Sequence, residues 1–282
     1  MIYNLKCLEY EDFYHFEFYD KPCIRSEKED DNTITDVIEK SKIKIIEDLQ
    51  RDLNKDHTLK VSMNRSKNNL YRIARSNRWD LFITVTFDRK KVDASDYEQV
   101  AKKITVWLNN LRKRGNPDLK YLIVPEFHSD GINYHFHGLL ANCDSLVLVD
   151  SGHKDFTGSV IYNISNWKIG FSTATKIKDN ARVVNYIGKY ITKDLLNRVK
   201  YKKRYFASRN CYVADEILLN IQPDKVLDLL VQDPEYIKTL TIPEANQRIK
   251  YFDIKKELTE SGAQNIIEFV KDIFCEKLNV KE

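Results

Sequence analysis

Hydrophobic and polar positions in the first 115 residues alternate between the period of a strand and the period of a helix. Strict alternation predicts a strand, and apolar residues three or four positions apart predict one face of a helix. Val100, Ile104, Trp107 and Leu111, for example, share one helical face. In chain order we predict a strand in "YHFEFYD", helices in "ITDVIEKSKIKIIEDLQRDL" and "NRSKNNLYRIARSNR", a strand in "WDLFITVTFD" and a helix in "SDYEQVAKKITVWLNNLRKRG".

The pattern continues with two strands joined by a short turn. "KYLIVPEF" and "INYHFHGLLA" are predicted strands, and Asp-Gly between them is a strong signal for a hairpin. "GFSTATKI" is a further strand and "DNARVVNYIGKYITKDLLNRV" a helix. Strands interspersed with helices predict an α+β fold with a central antiparallel β-sheet flanked by helices, and with extra N- and C-terminal elements.

The hairpin brings three metal-ligand side chains together. With Asp130 and Gly131 at the turn, counting outward places Glu126 directly across from His135. Directly opposite residues share a face of the sheet, and His137 shares it too because side chains alternate along a strand. His128 would face the same side nearer the turn, as a weaker candidate. We therefore predict a metal site at Glu126, His135 and His137, for which the residue types leave Mg²⁺, Mn²⁺, Zn²⁺ and Fe²⁺ open.

Charge is unevenly distributed along a chain whose net charge is +4. Residues 60–120 carry 15 Lys and Arg against 6 Asp and Glu, and residues 176–209 carry 11 against 2. Residues 1–40 and 213–282 are acidic, with 11 Asp and Glu against 5 Lys and Arg, and 14 against 9. A basic middle is typical of a protein that binds a phosphate-rich partner, although solvated lysines on ordinary helices give the same count.

Length and composition set the remaining bounds. The 282 residues suffice for one sizeable core with appendages. We predict an acidic N-terminal extension packed on the core over 1–60, a main domain over 61–212, and an acidic, mainly helical region over 213–282. The five cysteines include no CxxC pair, which argues against a disulfide framework or a zinc finger. With no apolar run long enough to span a membrane and no signal pattern, we expect a cytoplasmic protein without a membrane partner.

A second group of side chains lies within the basic stretch 176–209. In "NYIGKYITKDL", helical spacing places Tyr186, Lys189, Tyr190 and Lys193 on one face. Such a pattern is common in amphipathic packing. It also suits covalent catalysis, because a tyrosine with a pKa near 10 needs a nearby cation and a metal-polarised phosphate to attack a phosphodiester at neutral pH.

Three motifs in order resemble those of the HUH endonucleases, in particular the rolling-circle replication initiators of plasmids and single-stranded DNA phages. "FITVTF", "YHFHGLL" and "YIGKYITK" fall on the expected element types, between about Asn69 and Arg209. The second is similar to the family's His-hydrophobe-His metal pair, and the third to the doubled Tyr-x-x-Lys pattern of the two-tyrosine initiators. The resemblance implies a nuclease sheet of the ferredoxin- or RRM-like sandwich type.

The resemblance also implies an activity. Mg or Mn held by the three ligands would bind the scissile phosphate, and Tyr186 or Tyr190, helped by Lys189 and Lys193, would attack it and stay bound to the 5′-phosphate. The partners would be single-stranded DNA at a replication origin, expected to form a hairpin, and host replication proteins such as a helicase. We expect Tyr186 to cut first, aided by the positive end of its helix. Within the basic stretch, the expected DNA contacts are Arg182, Lys200, Lys202, Lys203 and Arg204.

Two other classes of protein remain open. A metal-dependent oxygenase or hydrolase would use the same His/His/Glu site, but it would leave the Tyr/Lys helix and the basic middle unexplained. A non-catalytic DNA-binding protein would use the basic surface alone, and would bind DNA equally well in EDTA without ever cleaving it.

Overall fold

The computed structural model describes residues 1–11, 13–25, 62–190, 202–221, 236–243 and 246–255. Helix α1 covers residues 62–75, and α2 and α3 follow later in the chain. The element bounds are β1 Ile2–Glu9, β2 Phe13–Ile24, α1 62–75, β3 Leu81–Val85, α2 Tyr97–Lys113, β4 Lys120–Phe127, β5 Tyr134–Ala141, β6 Leu148–Lys154, β7 Val160–Ile164, β8 Ser172–Lys176, α3 Asn180–Ile187, a 3-10 turn Gly188–Tyr190, β9 Phe206–Ala207, β10 Asp215–Leu219, β11 Tyr236–Ile242 and β12 Gln247–Lys255.

The chain divides into two compact units, each built on an antiparallel sheet. The first unit takes both ends of the chain, 1–36 and 214–282, and the second takes 37–213. The first unit holds a five-stranded sheet in the order β10-β1-β2-β12-β11, and the second a seven-stranded sheet in the order β6-β7-β8-β3-β5-β4-β9. The predicted α+β class with antiparallel sheets is confirmed.

Helix α2 covers one face of the seven-stranded sheet. It begins at Asp96, whose side chain accepts hydrogen bonds from the backbone N–H groups of Glu98 and Gln99 and so satisfies the open end of the helix. All four residues of its predicted apolar face are buried. They pack against the inward side chains of β3, β4 and β5, including Ile83 and Phe136. The buried tryptophans Trp107 and Trp167 belong to the same cluster.

Helices α1 and α3 cover part of the opposite face. Apolar side chains of both helices pack on the alternate residues of β4 and β5, which gives a second buried cluster. Its fully or nearly buried members are Leu70, Ile73, Ala74, Trp79, Leu122, Val124, Leu139, Ala141, Val184, Ile187 and Tyr190. Because side chains alternate along a strand, Glu126, His135 and His137 lie on this face as well.

The first unit differs from expectation in its C-terminal part. Sequence patterning suggested a mainly helical region over 213–282, whereas its described residues form β10, β11 and β12. The runs "YIKTLTI" and "QRIKYFDIK" are rich in β-branched and aromatic residues, which favour a pleated, half-buried surface. Strand β12 pairs with β2 from the other end of the chain. Because β2 and β12 lie at opposite ends of the chain, local sequence patterns do not predict their pairing.

Some expected features fall outside the described residues. The predicted helix at 34–53 is one of them, and the three predicted domain ranges stay a prediction. Among the described residues, no two cysteines form a disulfide bond. Within the described ranges, no helix combines the length and the apolar character that crossing a membrane requires.

Candidate active site

The hairpin of β4 and β5 has the predicted register. Glu126 pairs directly with His135, and Val124 with His137. The connection itself is a four-residue loop rather than a two-residue turn: Gly131 N–H donates to the carbonyl of His128 at 2.8 Å, with Gly131 at φ 66°. The Asp130 carboxylate then accepts the next two backbone N–H groups. Both forms of turn give the same pairing, so the three predicted ligands converge.

Three lone-pair atoms meet at one point of the sheet face. His135 Nε2 lies 2.8 Å from His137 Nε2, and Glu126 Oε2 lies 3.1 Å from the first and 2.9 Å from the second. Two ligand atoms that lie about 2.1 Å from an ion at right angles to each other are about 3.0 Å apart. The triangle therefore fits three adjacent positions of an octahedral ion, and its donor set of two imidazoles and one carboxylate suits a divalent metal.

The protonation states favour metal binding. Burial alone would raise the pKa of Glu126, but hydrogen bonds from His135 and His137 outweigh it and lower that pKa to about 2. Burial lowers the pKa of His137, against the opposing effect of the Glu126 hydrogen bond. At neutral pH the cluster thus presents an ionised carboxylate and a neutral His137 imidazole, the forms that coordinate a metal.

Thr84 of β3 fixes the orientation of the His137 ring. The two residues are directly paired across β3 and β5, and Thr84 Oγ1 lies 2.9 Å from His137 Nδ1. A hydrogen bond at Nδ1 fixes the ring so that Nε2 faces Glu126 and His135. By contrast, His135 Nδ1 is buried and has no hydrogen-bond partner among the described residues. Sequence reasoning placed Thr84 in a core strand only, because the pairing of β3 with β5 joins residues 53 positions apart.

Tyr190 lies against this cluster, and Tyr186 lies against Tyr190. The Tyr190 ring stacks on the His137 ring with centroids 3.8 Å apart, and the Tyr186 ring meets Tyr190 edge-on at 5.3 Å. Tyr190 is only 7 % exposed, whereas Tyr186 is 45 % exposed. Burial raises the pKa of Tyr190, and its hydrogen bond with Tyr186 raises it further. Phe82 of β3 packs against both rings and His137, a contact that sequence reasoning missed.

The helix that carries Tyr186 ends earlier than predicted, and residues 191–199 of the predicted helix lie outside the described residues. Helix α3 ends at Ile187 and the chain continues as a 3-10 turn through Tyr190. Tyr186 therefore sits in the last turn of α3, where the helix dipole is negative, so the expected help from a positive helix end is wrong. A cation is nevertheless present, because Lys189 Nζ lies 5.1 Å from the centroid of the Tyr186 ring.

The predicted basic residues have different surroundings. Lys202 pairs with Glu98 at 3.2 Å, and Lys203 Nζ lies 5.8 Å from the ring centroid of Phe206. Arg204 donates to the carbonyl of Ser62 at 2.8 Å and to two serine hydroxyls of α1, which makes it a tether for that helix. Three further predicted residues, namely Lys193, Lys200 and the side chain of Arg182, lie outside the described residues.

His128 stays apart from the three ligands. It is exposed at the start of the loop, and its Nδ1 lies 3.2 Å from the hydroxyl of Ser129. Its ring centroid is 5.6 Å from that of His135. Among the described residues, the group of side chains that could hold a metal consists of Glu126, His135 and His137.

Comparison with known proteins adds one finding. No curated protein and no solved structure shows significant similarity to the chain. Residues 80–195, which include the three ligands and both tyrosines, match the model of a family described as Replication-associated protein ORF2. That match supports a replication-associated protein with a role in DNA replication.

Proposed function

We propose that this protein initiates rolling-circle replication as a strand-specific nickase and strand transferase acting on single-stranded DNA. One observation carries the proposal: Tyr190 stacks on the metal-ligand candidate His137, and Tyr186 contacts Tyr190. A metal cluster alone is compatible with several reactions. One tyrosine packed on a candidate ligand and a second packed on the first, in a segment similar to replication-associated proteins, favour covalent attack on a phosphodiester.

Mg²⁺ or Mn²⁺ is the proposed ion, held by Glu126, His135 and His137. When bound, it would polarise the scissile phosphate and offset the negative charge that develops there. The carboxylate of Glu126 is a ligand that suits both ions, and the spacing of the three donor atoms is compatible with an octahedral site.

The chain's own contribution is the nucleophile. A tyrosine oxygen attacks the phosphorus, a new bond forms between that oxygen and the 5′-phosphate, and the bond from phosphorus to the 3′ oxygen breaks. The phenolic proton passes to solvent, and the leaving 3′ oxygen takes up a proton to become a free hydroxyl. This hydroxyl can then prime DNA synthesis, while the 5′ end stays attached to the protein.

Tyr186 is the proposed first nucleophile. Its ring is substantially exposed, so an incoming strand can reach it, and it lies near the Lys189 ammonium group. Burial disfavours ionisation of Tyr190, so Tyr190 would serve as the acceptor in the second strand transfer. We further propose that Lys193 assists the tyrosines. The proposed DNA contacts are Arg182, Lys200, Lys202, Lys203 and Arg204. The proposal also includes a hairpin at the origin, a host helicase as partner and a location in the host cytoplasm.

The test is a search for covalent adducts. The full-length protein is incubated with a pool of single-stranded oligonucleotides and Mn²⁺, then run on a denaturing gel, where a protein band that carries labelled DNA is expected. His137→Ala should form no adduct at the same metal concentration. It should keep most of its DNA affinity, because Lys and Arg contacts with phosphates supply that affinity independently of the ion.

Two outcomes would contradict the proposal. Wild-type protein that binds the pool but never forms an adduct with Mn²⁺ or Mg²⁺ would identify a non-catalytic DNA-binding protein. Full adduct formation by His137→Ala would remove the metal site from the reaction. Iron bound in the purified protein, with no adduct, would favour the oxygenase alternative.

A further inference from the structure

A row of side chains leads across four neighbouring strands from the metal cluster to an exposed aromatic ring. Glu126 of β4 lies opposite His135 of β5. One residue beyond the end of β3, Thr86 continues the register with β5 and with β8, which places it between His135 and Phe171. Its backbone N–H donates to the Phe171 carbonyl at 2.9 Å. Residues opposite one another share a face, so Phe171 lies on the same side of the sheet as the cluster.

The Phe171 ring is exposed although its backbone is firmly held. The side chain is 62 % exposed. The preceding loop is fixed to the continuation of β3, because Asp88 N–H donates to the Ile169 carbonyl and Trp167 Nε1 to the Thr86 carbonyl, both at 2.9 Å. At Gly170 a Cβ atom would lie 1.9 Å from the Thr86 carbonyl oxygen, so the two backbones are in direct contact. The ring is thus presented on a rigid support.

Basic side chains border the same end of the sheet. The loop after β3 contains Arg89, Lys90 and Lys91, and all three are exposed. Arg89 reaches Asp130 at the tip of the metal hairpin at 2.6 Å, while Lys91 reaches the carbonyl of Lys168 at 3.2 Å. Through these two contacts, the basic loop 89–91 reaches from the tip of the β4–β5 hairpin to the segment that carries Phe171. An open cleft lies along the loop.

We propose that Phe171 is a stacking platform for one base of the single-stranded DNA whose phosphate lies at the metal cluster, with Arg89, Lys90 and Lys91 contacting the adjoining backbone. This inference rests on the proposed function and names a positioning residue for its substrate. A single exposed apolar side chain is ordinary on its own. Phe171 differs because a flat ring and a metal-ligand cluster share one face and a row of cations borders the same end of the sheet, a combination that suits the binding of single strands.

The separation suits a short stretch of DNA. Phe171 lies two strands from His135, and neighbouring strands are about 4.8 Å apart, so the two positions are about 10 Å apart. Stacked nucleotides advance by about 3.4 Å each, so roughly three nucleotides cover this distance, and fewer do if the strand is extended. A base held at Phe171 would therefore set which phosphate reaches the cluster.

Binding to two probes tests the platform. Affinity is measured at low salt in EDTA, by fluorescence anisotropy, for labelled dT20 and for an abasic 20-mer with the same sugar-phosphate charge. Phe171→Ala should weaken dT20 binding at least about fivefold, which is the lower end of the effect of one base–aromatic stack, and leave the abasic probe unchanged. Phe171→Trp should keep or improve dT20 binding. The matched control is Phe156→Ala, which removes a ring that is 90 % exposed on the turn between β6 and β7, at the far edge of the sheet.

The outcomes separate this inference from the proposed function. Unchanged dT20 binding by Phe171→Ala, equal losses on both probes, or no wild-type binding of dT20 would overturn the platform. Because the assay contains no metal and needs no cleavage, wild-type protein that never forms an adduct would overturn the nickase and leave the stacking result standing. If adducts form with unchanged yield and site in a Phe171→Ala variant that also binds normally, only the platform is lost.

Discussion

His137 is the residue on which the site depends most. Its Nδ1 atom contacts Thr84, its Nε2 atom faces the other two ligands, and its ring face carries Tyr190. One imidazole thus joins the strand beneath the site, the metal-ligand cluster and the proposed nucleophiles. A change at any of its neighbours should therefore be measurable at the metal.

We predict that Thr84→Val weakens metal binding. Valine has nearly the same shape but no hydrogen-bonding group, so His137 loses the contact at Nδ1 that orients its ring. Loss of such a contact behind a ligand typically lowers metal affinity by about 10- to 100-fold. Titration calorimetry with Mn²⁺ measures the change, and Thr84→Ser, which keeps a hydroxyl, should restore most of the affinity. Equal Mn²⁺ affinity in Thr84→Val and wild type would show that the hydrogen bond does not orient the ligand.

The second residue-scale prediction separates the two tyrosines. Tyr186→Phe and Tyr190→Phe should each retain some nicking, because the remaining hydroxyl stays beside the same cluster. The double variant should form no covalent adduct, since phenylalanine preserves the ring packing but has no nucleophile. Peptide mass spectrometry of the wild-type adduct should find DNA on Tyr186 after the first cut. DNA found on Tyr190 alone would reverse the proposed order, and adducts in the double variant would exclude both residues.

Among the secondary-structure elements, the hairpin of β4 and β5 has a loop that is held by one carboxylate. Asp130 accepts the backbone N–H groups of Ile132 and Asn133 and pairs with Arg89. The backbone hydrogen bond from Asn133, and then that from Ile132, lower the pKa of Asp130. A carboxyl group whose folded pKa lies below its unfolded value stabilises the fold above the unfolded pKa, and this contribution disappears as the pH falls through the folded pKa.

We therefore predict that Asp130→Asn lowers the melting temperature of the metal-free protein at pH 7. The difference from wild type should shrink as the pH falls below about 3.9, the ordinary value for Asp, because the unfolded chain then takes up a proton at Asp130 that the folded protein does not yet bind. Asp118→Asn, at another exposed turn, removes an equal charge and serves as the control. A difference that stays constant between pH 7 and pH 3 would mean that the charge of Asp130 does not hold the loop.

The same hairpin indicates what the sequence could and could not predict. Its register followed from Asp-Gly and a count of residues, because pairing across a short loop is local. The contact of Thr84 with His137 did not follow, since β3 and β5 are far apart in the chain. The strands at the C-terminal end escaped prediction for the same reason, and the end of α3 at Ile187 escaped because periodicity does not mark the change to a 3-10 turn.

At the scale of the whole molecule, charge follows the division into units. The basic stretches 60–120 and 176–209 belong to the unit that carries the site, whereas the acidic stretch 213–282 belongs almost wholly to the other unit. The acidic N-terminal residues 1–36 belong to that other unit too. The positive charge that attracts the phosphates of DNA is therefore concentrated on the unit that carries the candidate site.

This distribution predicts a steep salt dependence of DNA binding. The logarithm of the affinity for single-stranded DNA should fall linearly with the logarithm of salt concentration, by about 0.7 for each phosphate contact, so a slope near 3 would correspond to about four contacts. Lys203→Gln should reduce the slope by about 0.7, while Lys238→Gln in β11 of the other unit should leave it unchanged. The slope should be the same with and without EDTA, because the contacts come from side chains and not from the ion. A flat dependence, or one that Lys238→Gln lowers as much as Lys203→Gln, would move DNA binding away from the basic stretches and leave the metal cluster without the substrate proposed for it.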